Sequence, residues 1–245
     1  MAELRGEARA AYVRRMFGRI ASRYDLLNRL MTAGQDRRWR GEVVDRAALQ
    51  PGERLLDVGC GTGDLALEAL RRSPQASVVG ADFAAPMLAM ARRRGAASGA
   101  AFILADALHL PFPAGTFDVL VSGFLLRNVS DLDEALAEQA RVLRAWRGRI
   151  VALDTTPPSP GPFRPLLDFH LHRVIPFLGR WVARDPEAYN YLPGSTQRFL
   201  PADALAESLR RHGFAGVGFV RRMFGTIAIH WGRRSADGIS SQGQT

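Results

Sequence analysis

The stretch LLDVGCGTGDLA, residues 55–66, sets three glycines at alternate positions after an apolar run, with Asp57 before them and Asp64 behind. Glycines at 59, 61 and 63 let the backbone turn sharply and let a ligand come close to it. One ligand for such a turn is a pyrophosphate, held by G-x-G-x-x-G at a helix N-terminus. Here Asp64 takes the third position of that fingerprint, and two flanking acids repel a pyrophosphate. They suit a ligand with positive groups. S-Adenosylmethionine carries an ammonium, a sulfonium and no phosphate, so Asp57, Gly59 and Gly61 are expected around its amino-acid end. Thr62 is expected to contact the same cofactor and to cap the following helix.

Two further acids extend the pattern. Asp82 ends the next apolar run, roughly 20 residues beyond the loop, where an acid commonly accepts from ribose hydroxyls. Asp106, followed by Ala107, ends a third run; a carboxylate there can accept from the adenine amino group while the next backbone N–H donates to the ring. Any one of these acids alone reads as a turn or cap residue. Three at successive strand ends read as one site, because open parallel sheets bind ligands along that edge.

The elements that must carry these residues are legible as alternating patterns. RLLDVG, ASVVGAD, AFILAD, FDVLVSG and GRIVALD read as strands. Helical patterns lie between them at Asp64–Arg72, Pro86–Arg94 and Leu132–Arg144. Strands alternating with helices predict an α/β fold with a mostly parallel sheet covered on both faces. Residues 8–49 read as an N-terminal helical cap, with Tyr12, Met16 and Ile20 on one stripe. The proline- and aromatic-rich stretch 155–200 reads as a mostly helical insert or lid. A helix (Pro201–His212) and two strands, around Gly216–Met223 and Thr226–Trp231, follow. Residues 1–234 are thus expected to form one domain, and the polar tail 235–245 to be disordered.

Composition narrows the class. The chain has 245 residues and a net charge of +9, and all 33 of its basic residues are arginine. A positive excess favours acidic partners, either nucleic acid or an anionic membrane surface. Arg14, Arg15, Arg19, Arg23, Arg37, Arg38 and Arg40 crowd the N-terminal region. Cys60 is the single cysteine, which excludes an internal disulfide and fits a reducing compartment. Its place inside the glycine loop reads as a small apolar filler. No apolar run reaches the length of a membrane span and no signal-peptide pattern opens the chain, so a cytoplasmic location is expected.

On these residues the chain resembles the demethylmenaquinone and 2-polyprenylbenzoquinol C-methyltransferases of quinone biosynthesis. FGRIASRYDLLNRLMTAGQDRRWR is similar to that family's N-terminal signature, and LDVGCGTGDLA to its cofactor loop. DALHLPFPAGTFDVLVSGFLLRNVSD, YNYLPGSTQRF and GTIAIHWGRR resemble its central, lid and last-strand segments. The resemblance implies a Rossmann-like class I methyltransferase with a seven-stranded sheet, S-adenosylmethionine as cofactor and a prenylated quinol as acceptor, most simply demethylmenaquinol. Three departures stand out: Leu125 at a usual glycine, RAWRGR for the usual Lys-Pro-Gly-Gly-Arg turn, and Gly123 at a serine that contacts cofactor, with Ser122 one place earlier.

Methylating a ring carbon of a quinol needs a reduced ring, phenolate character, near-attack geometry and exclusion of water. Arg127 is the expected stabiliser of the phenolate, with pairing to Asp131 or Asp133 as its structural alternative. Asn128 is expected to orient the quinol, and His230 is a candidate base by its pKa range. Tyr24 and Asp25 are expected to close the site from the N-terminal helix. The prenyl tail needs an apolar path, which the insert could supply, and the arginines could rest on anionic headgroups in a peripheral membrane contact. No metal site is expected. A benzoquinol acceptor, an RNA methyltransferase and a non-catalytic cofactor-binding protein stay open, although no flipped-base segment or RNA module is present. The sequence fits a monomer or a homo-oligomer.

Overall fold

The apolar runs become strands, the central ones buried on both faces as parallel strands covered by helices must be and the AFIL strand partly exposed at the sheet edge. In the computed structural model, which describes residues 6–32, 34–157 and 194–235, β1 spans Arg54–Val58, β2 Ser77–Asp82, β3 Ala101–Leu104, β4 Val119–Gly123 and β5 Arg149–Thr155. Two longer strands, β6 (Phe214–Arg222) and β7 (Ile227–Arg234), close the sheet. The order is β3-β2-β1-β4-β5-β7-β6. The first five strands are parallel, and β7 runs antiparallel between β5 and β6. The strand order reverses between β1 and β4, so a crevice opens at their C-terminal ends.

Successive residues of a strand face opposite layers. Leu55 belongs to a core with Trp39, Val43, Leu65, Leu88 and Val121, whereas Leu56 belongs to one with Phe117, Leu120, Leu136, Leu205 and Leu209. Helices α2 (Asp36–Ala47), α3 (Asp64–Arg72) and α4 (Ala85–Gly95) therefore cover one face, and α5 (Leu132–Val142) and α6 (Ala202–Arg211) the other. Asp131 fixes the start of α5 by accepting from the Glu134 N–H at 2.9 Å.

The expected N-terminal helical stretch is two helices. Helix α1 (Gly6–Met31) ends before α2 begins at Asp36. Val13, Met16, Ile20 and Ala21 give α1 its buried face, and Ala21 packs with Ala84 and Met87 of the α4 region. The predicted Leu132–Arg144 helix stops at Val142, and the last two strands begin or end two to three residues beyond the predicted limits. Of the expected insert, Thr155 ends β5 and residues 194–198 are helical. Residues 158–193 of that lid, like the tail from 236, lie outside the described residues.

Candidate functional site

The glycine loop joins β1 to α3 under steric constraint. Gly59 has φ +69°, and a Cβ there would stand 2.7 Å from the Leu125 Cδ1. Gly63, at φ +88°, is the residue that caps α3. The expected cap, Thr62, does other work: its hydroxyl donates to Asp25 Oδ1 at 2.8 Å and ties the loop to α1. The capping oxygen comes instead from the strand. Asp57 Oδ2 accepts from the Ala66 N–H at 3.0 Å.

The other oxygen of that carboxylate has no hydrogen-bond partner and is buried. Burial, with Asp82 and Asp64 nearby, pushes the Asp57 pKa up to about 7, against the hydrogen bond from Ala66. Asp82 accepts from Gly61 N at 2.8 Å through one oxygen and from Ala84 N at 2.8 Å through the other. Burial raises its pKa as well. A carboxylate offers about four lone-pair sites, and with a further backbone hydrogen bond from Phe83, Asp82 still keeps acceptor capacity. Asp106 accepts from Leu108 N at 3.0 Å, which turns the chain after β3 and sets Asp106 and Ala107 along the crevice.

These residues meet on one cavity enclosing about 720 Å³ of space open to solvent. Gly59, Gly61, Asp82, Asp106, Ala107 and Gly123 all line it, so the cofactor-facing candidates from four strand ends converge. Ala10, Val13, Phe17 and Tyr24 line it from α1, which therefore lies across the C-terminal ends of the parallel strands. A smaller chamber, about 310 Å³ including space open to solvent, adjoins it. Tyr24, Gly59, Gly61 and Gly123 belong to both, and Arg40, Asp57, Thr62 and Asp64 line the smaller one. Arg94 completes an ion-pair belt, reaching Asp64 at 2.6 Å and Asp25 at 3.1 Å. Three carboxylates at the loop make it a poor phosphate site and a good one for positive charge.

The acceptor-side candidates separate. Asn128 lines the main cavity, and its amide donates to the Phe124 carbonyl at 2.8 Å. Arg127 is buried behind that wall. Its Nη1 pairs with Asp154 Oδ1 at 2.6 Å and its backbone N–H donates to Asp154 Oδ2 at 3.2 Å. The expected alternative partners are otherwise engaged: Asp131 caps α5, and Asp133 lies 3.5 Å from His212. Arg127 Nε is buried without a hydrogen-bond partner, and the guanidinium carbon lies 5.0 Å from the Phe124 ring centroid. Tyr24 is half-buried, and loss of hydration raises its pKa, with a hydrogen bond to Asn28 and the charges of Arg40 and Arg127 acting the other way.

His230 corrects the expectation of a base. It sits inside the sheet, opposite Ala152 on β5 and stacked on Phe219 at 5.3 Å, and it is not among the cavity-lining residues. Its Nε2 faces the Ala202 carbonyl at 2.7 Å and must carry the proton, since a carbonyl only accepts. Burial lowers its pKa. The histidine thus joins α6 to β7. Cys60 is buried, its sulfur would lie 2.9 Å from a Cβ at Gly80, and burial raises its pKa well above normal, as the filler reading requires. Ser122 is buried below Gly123, with a hydroxyl lacking a hydrogen-bond partner.

Two residues escaped sequence reasoning. Asp154 is distant from Arg127 in sequence, and its signal is only that it stands one residue from the end of the strand next to β4. Arg40 stood unremarked within the arginine cluster. Among the described residues no group of His, Cys, Asp and Glu could hold a metal, and no helix is long and apolar enough to cross a membrane.

Comparison with known proteins agrees with this geometry. A Desulfotalea psychrophila ubiquinone/menaquinone biosynthesis C-methyltransferase UbiE is 46% identical over 220 residues, covering 90% of this chain and 89% of that one. A Thermus thermophilus demethylmenaquinone methyltransferase is 48% identical over 221 residues, covering 89% of this chain and 100% of that one. Among solved structures, the [4+2]-cyclase SpnF shares the fold with a TM-score of 0.60 at 22% identity, over 82% of this chain and 81% of that chain. A Haemonchus contortus phosphoethanolamine N-methyltransferase 2 in complex with S-adenosyl-L-methionine does so with a TM-score of 0.61 at 14% identity, over 81% of this chain and 52% of that one. A cyclase and a methyltransferase on one fold leave the chemistry to the site. The site's acidic strand ends and the match of residues 5–234 to a family model together give the assignment: the chain belongs to the ubiE/COQ5 methyltransferase family.

Proposed function

We propose that this chain methylates a ring carbon of a reduced prenylated quinol, with demethylmenaquinol as acceptor and S-adenosylmethionine as methyl donor. The observation that carries the cofactor reading is the orphaned, buried Oδ1 of Asp57 beside a loop ringed by acids, a cradle for an ammonium. Asp82 retains acceptor capacity for ribose hydroxyls, and Asp106 and Ala107 offer an acceptor and a donor at the adenine end. When bound, S-adenosylmethionine supplies a sulfonium methyl; the ring carbon gains that methyl and releases its hydrogen as a proton, leaving a neutral thioether.

The chain's own work is to position, to stabilise charge and to exclude water. The apolar wall of α1, with Ala10, Val13 and Phe17, covers one side of the cavity, and water kept from that side strengthens electrostatic contacts there. Asn128 faces the cavity and orients the quinol. Arg127, held by Asp154, supplies positive charge near Asn128 and Tyr24 that favours the phenolate. The prenyl tail and the excess of arginine favour transient contact with an anionic lipid surface on the cytoplasmic side.

The acceptor reading follows the names of the relatives, one of which covers both quinone pathways. The test supplies purified protein with S-adenosylmethionine and equal amounts of reduced, short-chain demethylmenaquinol and its benzoquinol counterpart. Mass spectrometry is expected to find a one-methyl gain on the naphthoquinol first. Preference for the benzoquinol would move the chain to the other pathway, and methylation of neither would overturn the proposal.

A further inference from the structure

The smaller chamber carries a charge pattern that the reaction does not explain. Arg40, on α2, is 8% exposed and lines this space together with Asp57, Asp64 and Thr62. Asp36, one helical turn before it, pairs with Arg40 Nη1, and Asp64 Oδ2 lies 3.1 Å from the same nitrogen. Among the described residues Arg40 makes its hydrogen bond and ion pairs through Nη1 alone. A guanidinium has five N–H donors in a planar fork, so the fork keeps donors after both pairs form. Asp57 adds an acceptor oxygen that is buried and without a hydrogen-bond partner. A cation with spare donors and a carboxylate with a spare acceptor, in one chamber of about 310 Å³, match the two charges of an α-amino acid.

We infer that Arg40 grips the carboxylate of the cofactor's amino-acid end while Asp57 takes its ammonium, so that this chamber selects the intact cofactor over truncated nucleosides. The inference rests on S-adenosylmethionine being the cofactor. Asp36 and Asp64 then act as positioning residues. They fix the guanidinium before the ligand arrives, which limits the entropy lost on binding. Helix α2, outside the glycine loop and the strand ends, becomes a third element reading the ligand.

A purely structural Arg40 would tie α2 to the start of α3 and treat all adenosine ligands alike. Calorimetry with three ligands separates the two roles: S-adenosylhomocysteine, its decarboxylated analogue, and 5′-methylthioadenosine, which lacks the amino acid entirely. In Arg40→Gln, S-adenosylhomocysteine is expected to bind about 10- to 100-fold more weakly, the range for a lost hydrogen bond to a charged group. The affinities of the decarboxylated analogue and of methylthioadenosine are expected to stay within about twofold, because neither carries the carboxylate. Equal losses for all three ligands, or no loss for any, would overturn the inference. If Arg40→Gln does not fold, Arg40→Lys serves: it keeps the charge but not the fork. The penalty for removing the ligand carboxylate should then shrink relative to the unmodified chain, and an unchanged penalty would refute the role. Failure of the unmodified chain to bind S-adenosylhomocysteine would instead remove the cofactor reading on which this rests.

Discussion

Cofactor binding should be linked to one proton at Asp57. The carboxyl is 1% exposed, and its pKa stands at about 7 because burial disfavours the charged form. An ammonium placed at its unpaired oxygen favours that form and must lower the pKa. Below about pH 7 the free protein therefore holds a proton that binding expels, and affinity must rise with pH until the free carboxyl is itself ionised. With a free-state pKa of about 7 and full ionisation in the complex, release should be roughly 0.9 proton at pH 6 and 0.1 at pH 8. Over the same interval affinity should rise about tenfold, or about 1.4 kcal/mol. The sign for folding is opposite. A carboxyl with a raised folded pKa contributes stability that is present below its unfolded value and is lost as pH rises through about 7. Calorimetric titration of S-adenosylhomocysteine in buffers of differing ionisation enthalpy counts the proton directly. Asp57→Asn should abolish the release while keeping the acceptor for Ala66, and methylthioadenosine, without an ammonium, should release none. Asp82→Asn is the control, since burial raises that pKa too. Undiminished release in Asp57→Asn would refute the reasoning, as would pH-independent affinity in the unmodified chain.

Arg127→Ala removes the cation from a carboxylate that is 1% exposed and should cost about 3–5 kcal/mol of stability, seen as a large drop in Tm. Arg127→Lys keeps the charge but loses the fork, so turnover should fall more than tenfold while S-adenosylhomocysteine affinity holds; normal turnover in that variant would leave Arg127 a purely structural member of the Asp154 pair. Gly59→Ala must adopt φ +69° and meet Leu125 Cδ1 at 2.7 Å. A cost of roughly 1–2 kcal/mol for the backbone should lower both Tm and cofactor affinity, and adding Leu125→Ala should restore only the steric part. An unperturbed Tm in Gly59→Ala would show that the loop tolerates a Cβ.

The sheet and the cofactor edge were legible because both are written locally. Runs such as LLDV and SVVGAD are apolar on both faces, a pattern only a covered parallel strand explains, and their acids fall where each strand ends. Asp82, Asp106 and Gly59 therefore stand out from the sequence alone. Thr62 failed as a cap for a non-local reason: Asp25 of α1 claims its hydroxyl and Asp57 supplies the helix from below. His230 failed likewise. Its pKa range suggested a base, but β7 runs antiparallel between β5 and β6 and buries the ring beneath α6, where a carbonyl fixes its tautomer.

The sequence by itself determined the alternation of strand and helix, the acidic glycine loop and the family. Those depend on residue periods and on backbone permissions that each segment carries alone. Tertiary structure decided which charges meet. Asp154 finds Arg127 only because β4 and β5 are neighbours, and Arg40 enters the loop's chamber only because α2 packs against α3. Such pairings join residues far apart in the chain across surfaces that form on folding, and no local spacing encodes them.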